Sequence, residues 1–436
     1  MPLIVNIFVA IVLFAIPLIV YKKGFREVAH PYLRDTRIRI SPDLFFLTYS
    51  VATAMIFLNP ISLVKYGYWI IVLIFLAFSR LKIKVEAIVG VYMVFLALCL
   101  FSEIFVTSTK FDGLMMLIKY ALPLFYLWLA YTAIEDSTDL IFFLKVTAIA
   151  MCIYALVIGG FTEKYVSIIP KIVLGLLPAV FTKYAALADL YSSTIVVPVA
   201  LYLITKNKIW IVAALWVALS TFADVVRTGI GGICLALSFF AFVVYKFKSV
   251  PWIAGFGLAA AVILFTVPAF RDKMFTEGNE ISLSDFSTSD ANFENIDSHM
   301  RSYVWELNME RFYEPSPVFG SGIGEAGAFT KTLPTIALMH SDYVQMLCEI
   351  GILGVVLFGV FVLTVLLKII TVTWRPRTPF YLKLCGAMAL GSCAGTFFSM
   401  TYDNVVTYAQ QSFVLPFVFI GIFLKVNDLY KQGLWK

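Results

Sequence analysis

The chain has little charge. Of its 436 residues, 14% are Asp, Glu, Lys or Arg and 61% are apolar, a balance no ordinary soluble domain shows. Histidine occurs only three times, so each copy is worth placing. The six cysteines, Cys99, Cys152, Cys234, Cys348, Cys385 and Cys393, all fall in apolar stretches, with no C-x-x-C pair and no Cys/His cluster. Neither disulfides nor a metal site is predicted; small buried side chains are. The net charge of +6 is spread over several loops without an aromatic-interleaved basic patch, which gives nucleic acid no footing. No internal repeat is visible, which weighs against an inverted-repeat transporter.

What the chain has is apolar length. Runs of about 18–22 residues recur, each long enough to cross about 30 Å of hydrocarbon. The predicted fold is an all-α polytopic membrane protein, one transmembrane domain over residues 1–436. The predicted spans are 3–21, 43–61, 66–80, 86–106, 114–134, 139–160, 192–206, 209–226, 229–246, 251–269, 342–371, 380–402 and 409–426, about 12–13 helices. The first has no basic residues before it, and Lys22 and Lys23 follow it, so it reads as a span rather than a cleaved signal.

Lys and Arg gather in alternate loops: Lys22 to Arg39, Arg80 to Lys84, Lys206 and Lys208, Lys246 and Lys248, Arg375 and Arg377, and the tail. The positive-inside rule turns these to the cytoplasm. Two long loops then face outward. Residues 161–191 are half apolar with spaced lysines, as in a helix lying at the membrane surface. Residues 270–341 are the longest hydrophilic stretch. Their first half is acidic and rich in Ser and Asn, the composition of an irregular lid. In the second half, Asp297 or Ser298 is placed to cap a helix running to Phe312. Arg301, Trp305 and Asn308 share one face of that helix.

The reactive residue types concentrate in 301–354. Arg301 has a bland reading as a solvated loop arginine and a sharper one as half of a two-guanidinium clamp with Arg227. Arg227 stands between two spans, where its partner is either Asp224 or a phosphate. Arginine's fork suits a diphosphate better than a lysine does; Arg311 is a third candidate. His340 precedes a span, fit either to start a helix or, since an imidazole in general titrates near neutrality, to take a proton from a hydroxyl. Asp342, Gln345 and Glu349 follow as a polar stripe that should face protein or water rather than lipid. The glycines Gly320, Gly322, Gly324 and Gly327 lack the strand a dinucleotide fingerprint needs. They read instead as a tight loop carrying the Arg301 helix back toward His340.

A glycine-flanked arginine, then R…W…N…F…P…GxGxG, then H-S-D-Y-V-Q-x-L-x-E-x-G-I-L-G resembles the bacterial O-antigen ligase and O-antigen polymerase superfamily. The match runs from Arg227 to Gly354. It departs at Arg227, where the family often has Ser-Arg-Gly and this chain has Val226-Arg227-Thr228.

The resemblance implies a GT-C-like membrane glycosyltransferase of the bacterial inner membrane, working at the periplasmic face without cofactor or metal. The donor would be a glycan on undecaprenyl diphosphate, transferred with inversion to a second lipid-linked glycan by a polymerase or to lipid A core by a ligase. His340, Arg301 and Arg227 match the catalytic positions. Arg311, Asp342, Tyr343, Trp305, Gly322, Gly324 and Glu349 fall in the substrate-binding stretches. The Arg311–Gly322 spacing leans toward polymerase, for which a chain-length regulator is an expected partner beside the membrane lipids. A lipid-linked oligosaccharide flippase is the competing class. It needs ionisable groups lining a path, and Glu103, Lys119 and Lys145 are the only ones found away from loops.

Overall fold

The computed structural model describes residues 28–29, 37–38, 41–57, 81–158, 186–223, 226–251, 253–255, 257–258, 262, 301–334 and 338–435. The predicted spans 3–21 and 66–80, most of 251–269, most of the first outer loop and the acidic half of the second lie outside them.

The architecture is helical, as expected. Its helices are α1 (Pro42–Phe57), α2 (Ala87–Phe105), α3 (Lys110–Ala133), α4 (Ser137–Ile158), α5 (Ala186–Thr194), α6 (Val196–Thr205), α7 (Ile209–Ala223) and α8 (Arg227–Tyr245). They continue as α9 (Arg301–Asn308), α10 (Glu325–Thr330), α11 (Asp342–Thr373), α12 (Phe380–Tyr402), α13 (Val405–Tyr408) and α14 (Gln410–Lys431). A two-residue antiparallel pairing of Val28–Ala29 with Arg37–Ile38 is the only extended structure among the described residues. Seven helices there are long and apolar enough to cross a membrane: α2, α3, α4, α8, α11, α12 and α14. Their ends lie within a few residues of the predicted spans.

Two helices differ from expectation. The predicted span 192–206 is two consecutive helices that meet at Ile195, whose backbone stays helical, and the first starts at Ala186 inside the predicted outer loop. Pro198 sits in the first turn of α6, where its missing N–H costs nothing. The predicted span 342–371 is broken at Gly351, whose backbone is left-handed (φ 71°, ψ −174°). Loop residues dock into the break. The amide of Ile352 donates to Pro317 O at 2.9 Å, and the amides of Ser321 and Gly322 donate to the carbonyls of Cys348 and Glu349 at 3.0 and 3.1 Å. Groups that a broken helix would leave unpaired in lipid are satisfied by the loop.

α12 and α14 form the buried centre of the bundle. α8 and α5 pack on α12 through small residues. A Cβ on Gly395 would meet Ser192 O at 2.2 Å, one on Gly232 would meet Ser192 Cβ at 2.5 Å, and one on Gly391 would meet Ala236 O at 2.6 Å. Only glycine permits backbones so close. One end of the bundle is laced by ion pairs: Lys84 to Asp428 at 2.7 Å and Lys368 to Glu86 at 2.8 Å, with the Tyr131 hydroxyl donating to Asp428. The candidate chemistry gathers at the other end.

Candidate active site

The site is built on the three residues that end α12 and follow it: Tyr402, Asp403 and Asn404. His340 lies just before α11 with φ 54°, a left-handed backbone uncommon outside glycine. Two contacts hold it there. Its amide donates to Asn404 Oδ1 at 2.5 Å, and its Nδ1 lies 3.1 Å from Asp403 Oδ1. The Asp403 side chain is 4% exposed and that of His340 is 28% exposed. With a proton on Nδ1 facing the buried carboxylate, Nε2 is the nitrogen left to accept one from a ligand.

The network continues inward. Asn404 Nδ2 donates to Gln345 Oε1 at 3.1 Å, Gln345 Nε2 donates to Glu349 Oε1 at 2.9 Å, and that oxygen also accepts the Gly327 amide at 3.0 Å. The polar stripe therefore faces protein, as expected. It ties the glycine loop to the backbone of His340 through a chain of hydrogen bonds.

Arg301 starts α9, and its Nη1 donates to Tyr402 O at 3.0 Å. Trp305, one turn on, donates from Nε1 to Met339 O at 2.6 Å, fixing the residue before His340. Asn308 is buried and donates to Val304 O on its own helix. One face of α9 thus meets both sides of the site.

Arg227 is the first residue of α8. α8 and α12 run antiparallel: Gly391 meets Ala236, Gly395 meets Gly232 and Phe398 meets Gly231. One further turn puts Arg227 level with Tyr402. Helix register thus brings both arginines to the end of α12 that holds Asp403. Asp224, the alternative partner on the sequence, lies outside the described residues.

Other expected site residues are turned toward the protein. Asp342 is buried, its Oδ2 accepts the Val406 amide at 3.1 Å, and it does not orient His340; Asp403 has that place. The Tyr343 hydroxyl donates to Phe397 O at 3.0 Å. The Arg311 guanidinium lies 4.2 Å from the centre of the Phe329 ring, a cation–π contact. Gly322 (φ 117°) and Gly324 (φ 85°) pack on the turn between α2 and α3, at Thr107 and Gly113. Glu325, just beyond them, accepts from Ser108 N and from Thr109 N at 2.7 Å. Partial burial pushes its carboxyl up, but these N–H groups and the Ser108 hydroxyl outweigh that and hold it below the usual carboxylate range.

Among the described residues, the three ionisable groups singled out away from loops, Glu103, Lys119 and Lys145, lie on three different helices, α2, α3 and α4. Lys119 donates to Thr407 O at 3.1 Å, and Glu103 sits in the last turn of α2, near the site end of the bundle. Lys145 is exposed on α4. Among the described residues no three His, Cys, Asp or Glu side chains gather to hold a metal ion.

The residues missed from the sequence are Asp403 and Asn404. The local signal was an acid–amide pair directly at the end of a span, which on its own reads as a solvated turn.

Residues 212–359, about a third of the chain, match the family model described as O-antigen ligase. The matched stretch contains Arg227, Arg301, Arg311 and His340 and stops before Asp403. The comparison with curated proteins found no match. Over that third, the chain is similar to the O-antigen ligase family.

Proposed function

We propose that this chain transfers a glycan from undecaprenyl diphosphate to an acceptor hydroxyl at the periplasmic face of the bacterial inner membrane. The observation that carries the reading is the pinned His340. A left-handed, partly exposed imidazole is held by Asp403 through its ring and by Asn404 through its backbone, and a non-glycine residue persists in such a conformation when its surroundings over-determine it.

In this mechanism the acceptor hydroxyl gives its proton to His340 Nε2 as its oxygen attacks C1 of the donor sugar. The C1–oxygen bond to the diphosphate breaks on the opposite face, so configuration inverts. Asp403 keeps Nδ1 protonated and stabilises the imidazolium that forms. Arg301 and Arg227 neutralise charge as it grows on the leaving diphosphate, a role guanidinium groups fill through bidentate hydrogen bonds. Trp305, Gln345 and Glu349 hold these groups in place, while Arg311, Asp342, Tyr343, Gly322 and Gly324 shape the loop and helix ends around the acceptor side.

The acceptor assigned here is a second lipid-linked glycan, which makes the activity a polymerase; a chain-length regulator is then the expected partner. The description of the matched family favours a second reading, transfer to lipid A core by a ligase. Surface glycans from a host lacking the gene, complemented with wild type or His340→Ala, test all of this on one gel. Core bearing a single repeat and no ladder in the variant means polymerase. Long glycan left on undecaprenyl diphosphate with bare core means ligase. A wild-type pattern from the variant would sink the assignment of His340.

A further inference from the structure

The loop that docks into the break of α11 turns apolar side chains outward. Val318 is 52% exposed and Phe319 is 49% exposed. Backbone contacts fix their place. The amide of Leu353 donates to Val318 O at 3.3 Å, the amide of Ile352 donates to Pro317 O, and a Cβ on Gly351 would run into Val318 O. An exposed apolar tip on a docked loop marks a surface that meets something other than water.

The helix beneath the loop indicates what that is. Beyond Gly351, α11 turns Ile352, Val356, Val360, Leu363 and Leu367 outward, three or four residues apart, which is one face of a helix. Phe358, Phe361 and Val365 on the other side are buried. A span that is apolar all round has its outer face in lipid, and Val318 and Phe319 stand at the end of that face. Depth decides whether they remain in it. The ion pair of Lys368 with Glu86 marks water at the far end. The stretch from Lys368 to Ile352 rises about 24 Å, against a hydrocarbon layer about 30 Å thick. Room for about one more turn remains, and the loop occupies it.

The neighbouring helix agrees. Ring contacts of Tyr92 with Phe361 and of Phe95 with Phe358 set α2 antiparallel to α11. Its last turns therefore come level with Ile352, and there Phe101, Ile104 and Phe105 are exposed. Just beyond them the Lys110 ammonium donates to the carbonyls of Glu103 and Ile104 at 2.6 and 3.2 Å, a charge at the edge of the apolar collar.

We propose that loop 315–322 is seated in the bilayer, with Val318 and Phe319 among the acyl chains of the leaflet on the site side, beside Phe101, Ile104 and Phe105. The loop runs on into Gly322 and Gly324, and the Gly327 amide meets Glu349. A tip held in lipid thus sets the depth of the glycine loop. The proposal does not rest on the transfer reaction.

Nitroxide labels on single introduced cysteines test it, on the full-length protein in nanodiscs of phosphatidylethanolamine and phosphatidylglycerol. Wild type, whose six cysteines are all buried or partly buried, is the labelling blank. Val356→Cys is the lipid reference. Lys331→Cys, at an exposed ion pair with Asp112, is the water reference. Relaxation by oxygen, which collects in hydrocarbon, is compared with relaxation by a water-soluble nickel chelate. Phe319→Cys is expected to follow Val356→Cys, with oxygen the stronger relaxant. Nickel as the stronger relaxant, as at Lys331→Cys, would put the loop in water and overturns the seat. A label reached by neither agent is covered by protein, a second copy if labels also broaden one another, and overturns it too. If Phe319→Cys does not accumulate, Val318→Cys gives the same reading from the adjacent residue.

Discussion

Arg301 donates to the carbonyl oxygen of Tyr402, the residue immediately before the Asp403 that holds His340. The guanidinium and the imidazole are therefore anchored on consecutive residues of one helix end. In the proposed mechanism, α12 itself would then dictate the separation between the diphosphate at Arg301 and the acceptor hydroxyl at His340.

This anchoring makes Arg301→Lys informative. An ammonium retains the charge but not the planar fork. Transfer by Arg301→Lys is expected to fall about tenfold, against about 10²-fold or more for Arg301→Ala, measured as polymer formed per unit of protein in the membrane. Equal activity of wild type and Arg301→Lys would reduce the residue to a point charge.

His340→Ala removes the proposed base without emptying a packed site, since the ring is partly exposed. Transfer should drop by about 10²–10⁴-fold, while the amount of protein in the membrane and its thermal midpoint in detergent stay near wild type. A variant that is both inactive and unfolded would show that the imidazole is structural.

Gly351 is a second test, of the fold rather than the chemistry. A Cβ there would meet Val318 O at 2.3 Å in a left-handed backbone. Gly351→Ala should cost about 2 kcal/mol or more of stability, from strain and from backbone displacement. The thermal midpoint in detergent checks this. Gly359, in the continuous part of the same helix with nothing near its Cβ position, is the control: Gly359→Ala should be neutral or slightly stabilising.

Glu325 gives a pH dependence with a definite sign. Its carboxyl is held below the usual range in the folded chain by the Ser108 and Thr109 donors. Its contribution is complete above the unfolded value of about 4.3 and is lost as pH falls through the lower folded value. Between pH 6 and pH 3 the thermal midpoint of Glu325→Gln should fall less steeply than that of wild type. Parallel curves would remove Glu325 from the acid sensitivity.

Much of the fold was legible because lipid imposes a simple rule on composition and length: α2, α3, α8, α12 and α14 stand close to their predicted bounds. The face of Arg301, Trp305 and Asn308 was legible too, because an interior helical face repeats at a fixed spacing. Asp403 was not. It meets His340 across 63 positions of sequence, and nothing local distinguishes an acid that ends a helix in water from one that ends it in a site. The break at Gly351 was masked by apolar residues on both sides, which mark depth in lipid but not continuity of the backbone.

The tight glycine contacts between α8 and α12 do more than permit close packing. They act as a vernier. The teeth are Gly391, Gly395, Gly232 and Gly231, deep in the bundle, and the reading is taken at the mouth, where Arg227 meets the level of Tyr402. A slip of one notch would carry Arg227 about 5 Å along the axis, far enough to separate the two guanidinium groups. Alignment of the two cations is thus set where no substrate reaches, and a bulky residue at Gly232 or Gly395 would detune the site without touching it.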